Sequence, residues 1–152
     1  MDPETFRPLV RYLQPISFPA GHVLWAQGDA PDGLYIVEAG ILRAIYQFAD
    51  HTSPIHETMV PGTLAGELSA LSGLERNATC VVERDAKVWK LSTDNLRKLE
   101  TEEPELAREF TQLVLKCEWR RYFASMEQVL TVYNAAAKLD YDVLLSALAS
   151  RQ

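Results

Sequence analysis

The sequence predicts an α+β fold: an antiparallel β-sandwich or jelly roll with an N-terminal helix, one short helix between strands, and C-terminal helices. Two patterns in the chain predict it. Residues 16–92 contain short apolar runs separated by glycines, at the spacing of about 8–12 residues that is typical of antiparallel sheets. Before and after this stretch, apolar residues recur at helical spacing. We expect a single domain over residues 1–152.

The N-terminal helix is predicted within residues 1–15. Asp2 suits the N-cap, Pro3 suits the first helical position, and Pro15 ends the helix. The residues predicted to share its apolar face are Phe6, Leu9, Val10 and Leu13.

The strands are predicted from the short apolar runs. Their limits are 23–25, 34–38, 41–48, 56–60, 78–82 and 86–91. Glycines such as Gly28 and Gly40 are interpreted as turns between them. The connection over 50–55 is longer, polar and broken by Pro54, so we expect it at the surface.

The C-terminal helices are predicted over residues 93–123, followed by a helical tail over 124–152. An N-cap within 92–94 precedes a helix over 95–101, and a longer helix begins near Pro104. The apolar stripe of the longer helix comprises Leu106, Phe110, Leu113, Val114, Cys117 and Phe123. The tail is predicted as two helices, over 126–137 and 141–149.

Composition excludes several classes of function. The 152 residues are 47% hydrophobic and carry a formal net charge of −6, which favours a globular chain and argues against a nucleic-acid partner. No apolar run approaches the ~20 residues that span a bilayer. Two cysteines, Cys80 and Cys117, suit a reducing compartment and predict no disulfide.

Residues 62–79 carry the candidate site, which we interpret as a pocket for a small phosphate-bearing ligand. Gly66 lets the backbone approach a ligand, and a short helix starting at Glu67 would favour an anion at its N-terminus. Arg76 could grip two phosphate oxygens with its forked guanidinium. The Glu67 carboxylate only accepts hydrogen bonds, so it would take them from ligand hydroxyls and orient Arg76.

A purely structural interpretation of Glu67 and Arg76 remains open. A semi-buried ion pair between them would pin the loop to the sandwich without any ligand. Gly66, the short helix and the small residues after Arg76 favour ligand binding over this alternative.

The stretch Gly66-Glu67-Leu68, followed by Arg76-Asn77-Ala78-Thr79, resembles the phosphate-binding cassette of the cyclic nucleotide-binding domain family. That family's pattern is Gly-Glu-Leu, a short helix, then Arg-Ala-Ala/Ser-Thr. The resemblance extends to 22–29 and 34–43, and it covers the chain from Ile16 to the helix near Lys116. It implies cAMP or cGMP as ligand; we expect no metal, because the spacing of the histidines does not suit a metal site. The ligand-binding residues that it implies are Gly66, Glu67, Leu68, Ser69, Arg76, Asn77, Ala78 and Thr79.

A narrower resemblance concerns the parent protein. The amino-acid sequence of residues 60–69 and 76–79 is similar to that of the cytosolic C-terminal domain of fungal sulfate-permease-like transporters. This resemblance implies a cytoplasmic domain tethered to a membrane, with the transmembrane domain of a transporter as partner. The family resemblance also implies a helical lid over the ligand base, for which Trp119, Tyr122 and Tyr133 are candidates. Alternatively, these aromatics belong to the core or to an interface.

Two functional hypotheses follow. In the first, the domain is a regulatory module that senses a cyclic nucleotide and shifts its C-terminal helices on binding. In the second, it keeps the cassette shape, binds no nucleotide and serves as a structural or protein-interaction module of a transporter. The second is prompted by Glu75, which stands where the family usually has proline and would compete for Arg76, and by Asn77 in place of alanine.

Rival functions lack the required residue spacing. His22, His51, His56 and Glu57 suggest a metal enzyme on a jelly roll, but two histidines on one strand face would be two apart, whereas 51 and 56 are five apart. No nucleophile motif or activated cysteine indicates catalysis, so we expect no enzyme. The tail is too short and too weakly basic for a helix-turn-helix module.

Overall fold

Two long strands, β3 (Gly33–Tyr46) and β6 (Thr79–Ser92), form the centre of an antiparallel sheet in the computed structural model of the protein. The structure describes the backbone of residues 3–50 and 53–149, and side chains as far as residue 128. In these residues the sheet has six strands, in the order β1 (Gln14–Phe18), β6, β3, β4 (Ile55–Met59). Strand β2 (Val23–Trp25) pairs with β6, and β5 (Leu64–Ala65) pairs with β3. The predicted fold class is confirmed.

The helices follow the predicted order. Helix α1 (Glu67–Ser72) lies between β5 and β6, and α2 (Thr93–Glu102) and α3 (Pro104–Ala149) follow the last strand. The chain forms two compact units, one up to Thr111 and the other from Gln112 onward. None of the described helices combines the length and the apolar character that crossing a membrane requires.

Each of the two long strands joins two of the predicted runs. Gly40, predicted as a turn, lies inside β3 with φ of 82°, at a place where the pairing with β6 shifts register. A Cβ there would lie 2.1 Å from the carbonyl oxygen of Asp85. Glycine therefore permits an irregularity in a continuous strand, because it tolerates the left-handed conformation and the close approach of the neighbouring backbone.

The N-terminal helix differs from the prediction in its period. It is a 3₁₀ helix over Pro3–Tyr12 with Pro8 inside it, and Leu9 and Tyr12 are buried whereas Val10 is 54% exposed. Three residues per turn place positions three apart on one face, so Val10 falls outside the face that an α-helical spacing predicted. Proline lacks the N–H that an α-helix interior needs, which explains the change.

Two strands were not predicted. Strand β1 contains Pro15, for which the sequence pattern predicts only the end of a helix. It lies at the edge of the sheet and pairs with β6 alone, where a missing N–H is tolerated. Strand β5 has two residues, too few to give a periodic signal.

Buried apolar side chains of the sheet form the main core. Most of them come from alternate positions of β3 and β6, as the two-residue period of a strand requires. Leu24, Trp25 and Tyr46 pack against this core from partly exposed positions. The core members are Tyr35, Val37, Leu42, Ala44, Met59, Ala65, Ala78, Cys80, Val82, Ala86 and Val88.

Helix α2 begins where the sequence predicts a cap. The Ser92 hydroxyl accepts a hydrogen bond from the Asn95 N–H at 3.1 Å, and Leu96 and Leu99 are buried. Helix α3 runs without interruption to Ala149, so the predicted break near residues 138–140 is wrong. No glycine or proline occurs there to end a helix.

The predicted stripe of α3 is partly confirmed. Leu106, Phe110 and Val114 are buried, but Phe123 is 49% exposed. Phe123 shares its exposed surroundings with Trp119, whose ring centroid lies 5.9 Å away. The helical spacing of apolar residues predicted a buried Phe123, but an apolar residue at such a position can also be exposed.

Candidate functional site

Helix α1 is bounded by two glycines in the left-handed conformation. Gly66 has φ of 73° at its N-cap and Gly73 has φ of 76° at its C-cap. The Gly73 N–H donates to the Ser69 carbonyl at 2.9 Å, which closes the last turn. The helix therefore begins at Glu67, as predicted, and the chain turns sharply at both ends.

Arg76 lies beneath this turn as a buried cation. Its side chain is 1% exposed. Nη1 donates to the Gly66 carbonyl at 2.8 Å, and Nη2 donates to the Gly33 carbonyl at 2.7 Å and to Asp32 Oδ1 at 2.8 Å. The Trp25 ring lies under the guanidinium, 4.0 Å from Cζ to the ring centroid. Arginine suits this position because its planar group combines forked hydrogen bonds with stacking on an aromatic face.

Gly66 is required by the packing of Arg76 as well as by its own backbone. A Cβ at residue 66 would lie 2.2 Å from Arg76 Nη1 and 3.0 Å from Trp25 Cη2. Both distances are shorter than van der Waals contact. Predicted site residues Gly66 and Arg76 are thus brought together, and a side chain at residue 66 would displace the guanidinium.

The Nε–H of Arg76 has no acceptor among the described residues, although the atom is buried. Three protein oxygens accept hydrogen bonds from the two Nη atoms, while the guanidinium carries five N–H donors in all. A buried donor without a partner costs about 1–3 kcal/mol. Arg76 therefore keeps one N–H donor that a further oxygen acceptor could use.

One residue that orients Arg76 was not predicted. The sequence predicts this role for Glu67, which is 4% exposed at the first position of α1, and that role stays a prediction. In the structure the ionic partner of Arg76 is Asp32, in the loop before β3. The Asp32-Gly33 pair, typical of a turn, was the available signal, but it does not show which distant cation the carboxylate binds.

The other predicted site residues have different environments. Leu68 is 49% exposed and Asn77 is exposed, whereas the buried Ser69 hydroxyl donates to the Leu74 carbonyl. Ala78 is buried, and its carbonyl accepts from Trp25 Nε1 at 2.9 Å. The Thr79 hydroxyl accepts from the backbone N–H of Gln27 at 3.0 Å. Ala78 and Thr79 thus attach β6 to the β2 region, and Leu68 and Asn77 lie at the surface.

Asp32 is the electrostatic centre of the site. Burial by itself would raise the pKa of its carboxyl, but hydrogen bonds from Lys90, Tyr35 and Arg76 and the charge of Lys90 outweigh burial and lower it below 3.8. The carboxylate form is therefore the one that the surrounding donors stabilise. Glu75, which we expected to compete for Arg76, is exposed, and the ion pair of Arg76 is with Asp32.

The candidate lid aromatics lie on α3. Trp119 and Tyr122 are each 62% exposed, with ring centroids 6.5 Å apart. Tyr133 falls outside the described side chains. Of the histidines considered as metal ligands, His22 and His56 are exposed and His51 falls outside the described residues. The described residues contain no group of three or more potential metal ligands.

Comparison with known proteins defines the class. Residues 15–102 match the family described as the cyclic nucleotide-binding domain. Since this match covers more than half of the chain, the protein belongs to the cyclic nucleotide-binding domain family, a family of regulatory ligand-binding domains. The resemblance seen in residues 62–79 is thereby confirmed at the level of the family.

Particular relatives come from bacteria and fungi. The chain is 25% identical over 116 residues to a CRP-like cAMP-activated global transcriptional regulator of Mycobacterium tuberculosis, covering 76% of this chain and 52% of the relative. It is 33% identical over 87 residues to a cAMP-dependent protein kinase regulatory subunit of Aspergillus niger, covering 57% of this chain and 20% of that protein. This chain thus spans about half the length of the mycobacterial regulator.

A solved structure supports the same fold. A cyclic nucleotide-binding domain from Methylobacillus flagellatus KT matches with a TM-score of 0.77 and 25% sequence identity, covering 86% of this chain and 73% of that one. The jelly roll with C-terminal helices is therefore the fold of this protein.

Proposed function

We propose that the protein is a regulatory module that binds a cyclic nucleotide, with the ligand phosphate at Arg76. The observation that carries this proposal is the buried Nε–H of Arg76, which has no acceptor in the described structure. A phosphate oxygen is the acceptor that best matches a guanidinium donor, since a charge-assisted hydrogen bond is about twice as strong as a neutral one. Membership of the family supports the same ligand class.

The remaining predicted residues provide the rest of the proposed site. Gly66 leaves room for Arg76 beneath the turn, and the buried Glu67 would accept hydrogen bonds from the ribose hydroxyl. Small residues after Arg76, such as Ala78, let the chain pass close to the ligand. Both cAMP and cGMP fit this chemistry. Binding would act by differential affinity for two arrangements of the C-terminal helices, and the role is regulatory rather than catalytic.

The decisive experiment is calorimetric titration of the domain with cAMP and with cGMP. We expect a Kd in the micromolar range, about −8 kcal/mol. Arg76→Lys keeps the charge but loses the fork, and we expect binding at least about 100-fold weaker. Arg84→Ala is the matched control, because Arg84 is an exposed arginine on β6, and its affinity should equal that of the wild type. Thermal melts verify that both variants fold.

A second candidate function is favoured by a different observation. Both Nη atoms of Arg76 already bind protein oxygens and the side chain is 1% exposed, so the arginine also serves as a structural cation. In that case the domain binds no nucleotide and acts as a structural or protein-interaction module. Absence of heat and of thermal stabilisation at millimolar cAMP and cGMP would establish this alternative and reject the first.

We further propose that the domain is the cytosolic part of a membrane transporter of the sulfate-permease type. The similarity of residues 60–69 and 76–79 to the cytosolic domain of such transporters supports this proposal. Its partner is then the transmembrane domain of the parent protein, its localisation is cytoplasmic at a membrane, and a net charge of −6 disfavours nucleic acid as a partner. The test is to fractionate native cells and detect the protein with an antibody against the domain. We expect to recover the protein in the carbonate-washed membrane pellet. Recovery in the soluble fraction would reject the transporter proposal.

A further inference from the structure

Lys90, which lies on β6, was not predicted as a site residue. It is directly opposite Tyr35 in the pairing of β3 with β6, and residues opposite each other on antiparallel strands project from the same face. Its side chain is only 19% exposed. Tyr35 is in turn opposite Ala65, the residue before Gly66, on the other side of β3. Lys90 is therefore two strands away from the turn that covers Arg76.

Asp32 connects Lys90 to Arg76. Its Oδ1 accepts from Arg76 Nη2 at 2.8 Å, and its Oδ2 accepts from Lys90 Nζ at 2.6 Å and from the Tyr35 hydroxyl at 3.0 Å. Each carboxylate oxygen thus has its own cation. Because Lys90 and Tyr35 hold Oδ2, the carboxylate cannot turn without losing two hydrogen bonds, and Oδ1 stays directed at Arg76.

Two aromatic rings separate the two cations. Arg76 Cζ lies 4.0 Å from the Trp25 centroid, Trp25 and Tyr35 are 5.4 Å apart, and Lys90 Nζ lies 5.4 Å from the Tyr35 centroid. Cations within about 6 Å of a ring centroid are attracted by the ring. Four side chains and Asp32 therefore form one closed cluster, whose members are Trp25, Asp32, Tyr35, Arg76 and Lys90.

The charges of this cluster do not cancel. Arg76 and Lys90 are cations, and Asp32 is the anion that both of them bind. Burial alone would lower the pKa of Lys90, but its hydrogen bonds with Asp32 and Tyr35 raise it, so the lysine remains protonated at neutral pH. Among these three groups the charges sum to one positive charge, so Lys90 offsets the charge of Asp32 beside Arg76.

We propose that Lys90 is a positioning residue of the phosphate site: it fixes the Asp32 carboxylate against Arg76 and offsets the negative charge of that carboxylate, which would otherwise repel an incoming phosphate. The proposal rests on the phosphate-binding function proposed above. Without Lys90, the charge of Asp32 would be offset by Arg76 alone, and the guanidinium would attract a phosphate at its Nε–H less strongly.

The first test uses the ligand-free protein. Lys90→Met removes the charge but keeps the aliphatic stem, Lys90→Arg keeps the charge, and Lys87→Met is the matched control. Lys87 lies on the same strand but is 53% exposed and pairs with Glu38. The carboxyl carbon of Asp32 is titrated by NMR. We expect its pKa to rise in Lys90→Met, and to stay at the wild-type value in Lys90→Arg and Lys87→Met.

The second test measures binding of cAMP by the same proteins at low and at high salt. We expect Lys90→Met to weaken binding about tenfold at low salt and less at high salt, since a charge that acts through partly exposed groups is screened. Lys90→Arg and Lys87→Met should stay within about twofold of the wild type. Thermal melts confirm folding, and Lys90→Gln replaces Lys90→Met if the latter does not fold.

The outcomes separate this proposal from the function on which it rests. An unchanged Asp32 pKa in Lys90→Met, or no restoration by Lys90→Arg, overturns the positioning role whether or not a nucleotide binds. If the pKa rises while the wild type binds no nucleotide, the positioning of Asp32 stands and the proposed function fails. If the wild type binds and Lys90→Met binds equally well, the contribution of Lys90 to the phosphate site is refuted.

Discussion

At the scale of single residues, two glycines with similar backbone angles have different roles. Gly66 and Gly73 cap the same short helix with φ of 73° and 76°. Around Gly73 a Cβ would meet no atom within 4 Å, whereas at Gly66 it would overlap Arg76 and Trp25. Backbone strain is common to both positions, but only Gly66 also makes room for the guanidinium.

This difference predicts the effect of alanine at each position. Gly73→Ala should lower the free energy of unfolding by about 1 kcal/mol, the cost of a left-handed alanine. Gly66→Ala should cost about 2–4 kcal/mol, because Arg76 must also leave its place and lose the bond to the residue 66 carbonyl. Urea unfolding measures both values. Equal costs for the two variants would contradict the packing described for Arg76.

At the scale of elements, a local hydrogen bond from the N-cap residue fixes where helix α2 starts. The Ser92 hydroxyl accepts from the Asn95 N–H, and the helix then buries Leu96 and Leu99. Ser92 is both the last residue of β6 and the N-cap of α2. A cap at such a junction stabilises the step from strand to helix.

Ser92→Ala is therefore expected to destabilise the domain by about 1 kcal/mol, the usual value for a lost N-cap. In a thermal melt this corresponds to a fall in Tm of about 2–4 °C. Thr101→Ala serves as the control in the same helix, since Thr101 is exposed and its hydroxyl only bonds back to the Arg97 carbonyl. A fall in Tm for Thr101→Ala as large as that for Ser92→Ala would argue against a specific capping role.

Strand β3 shows how elements bring distant residues together. Its first residues follow Asp32, its Tyr35 pairs with β5 before α1, and on its other side it pairs with β6, which carries Lys90. The same strand therefore positions the carboxylate, the turn above Arg76 and the second cation. An insertion that changed the register of β3 by one residue would move these side chains to opposite faces.

At the scale of the whole molecule, the ion cluster connects global stability to pH. The pKa of Asp32 is lowered in the folded protein from its ordinary value of 3.8, since hydrogen bonds and the charge of Lys90 outweigh burial. A lowered folded-state pKa contributes stability that is fully present above 3.8 and is lost as the pH falls through the folded-state value. The contribution is therefore complete at neutral pH and is lost only under acid conditions.

We therefore expect Asp32→Asn to be less stable than the wild type at neutral pH, and the difference to shrink as the pH falls below 3.8. Urea unfolding of both proteins between neutral and acid pH measures the difference. The exposed Asp94→Asn is the control and should show no comparable change. A gap between Asp32→Asn and wild type that stays constant down to the lowest pH would show that the carboxylate gains nothing from its cations.

The sequence by itself determined the features that depend on short stretches of chain. The antiparallel fold class, the cap within 92–94, the glycine turn before α1 and the start of α1 at Glu67 all depend on neighbouring residues, and the structure has them. The family could be identified from the amino-acid sequence of residues 62–79, because the residues of that motif follow one another closely in the chain. The errors also have local causes: Pro8 shortened the helical period of the N-terminal helix, and Gly40 permitted an irregular strand instead of a turn.

Only the tertiary structure decided which groups Arg76 meets. Its ionic partner Asp32 lies 44 residues away in the chain, and the ring beneath it, Trp25, comes from another strand. Lys90 enters the cluster through the register between β3 and β6. Such contacts depend on which strands pair and in which register, and a side chain's type and local spacing do not specify that. Sequence reasoning therefore identified the cation of the site and the glycine above it, whereas the counter-charge and the second cation required the folded chain.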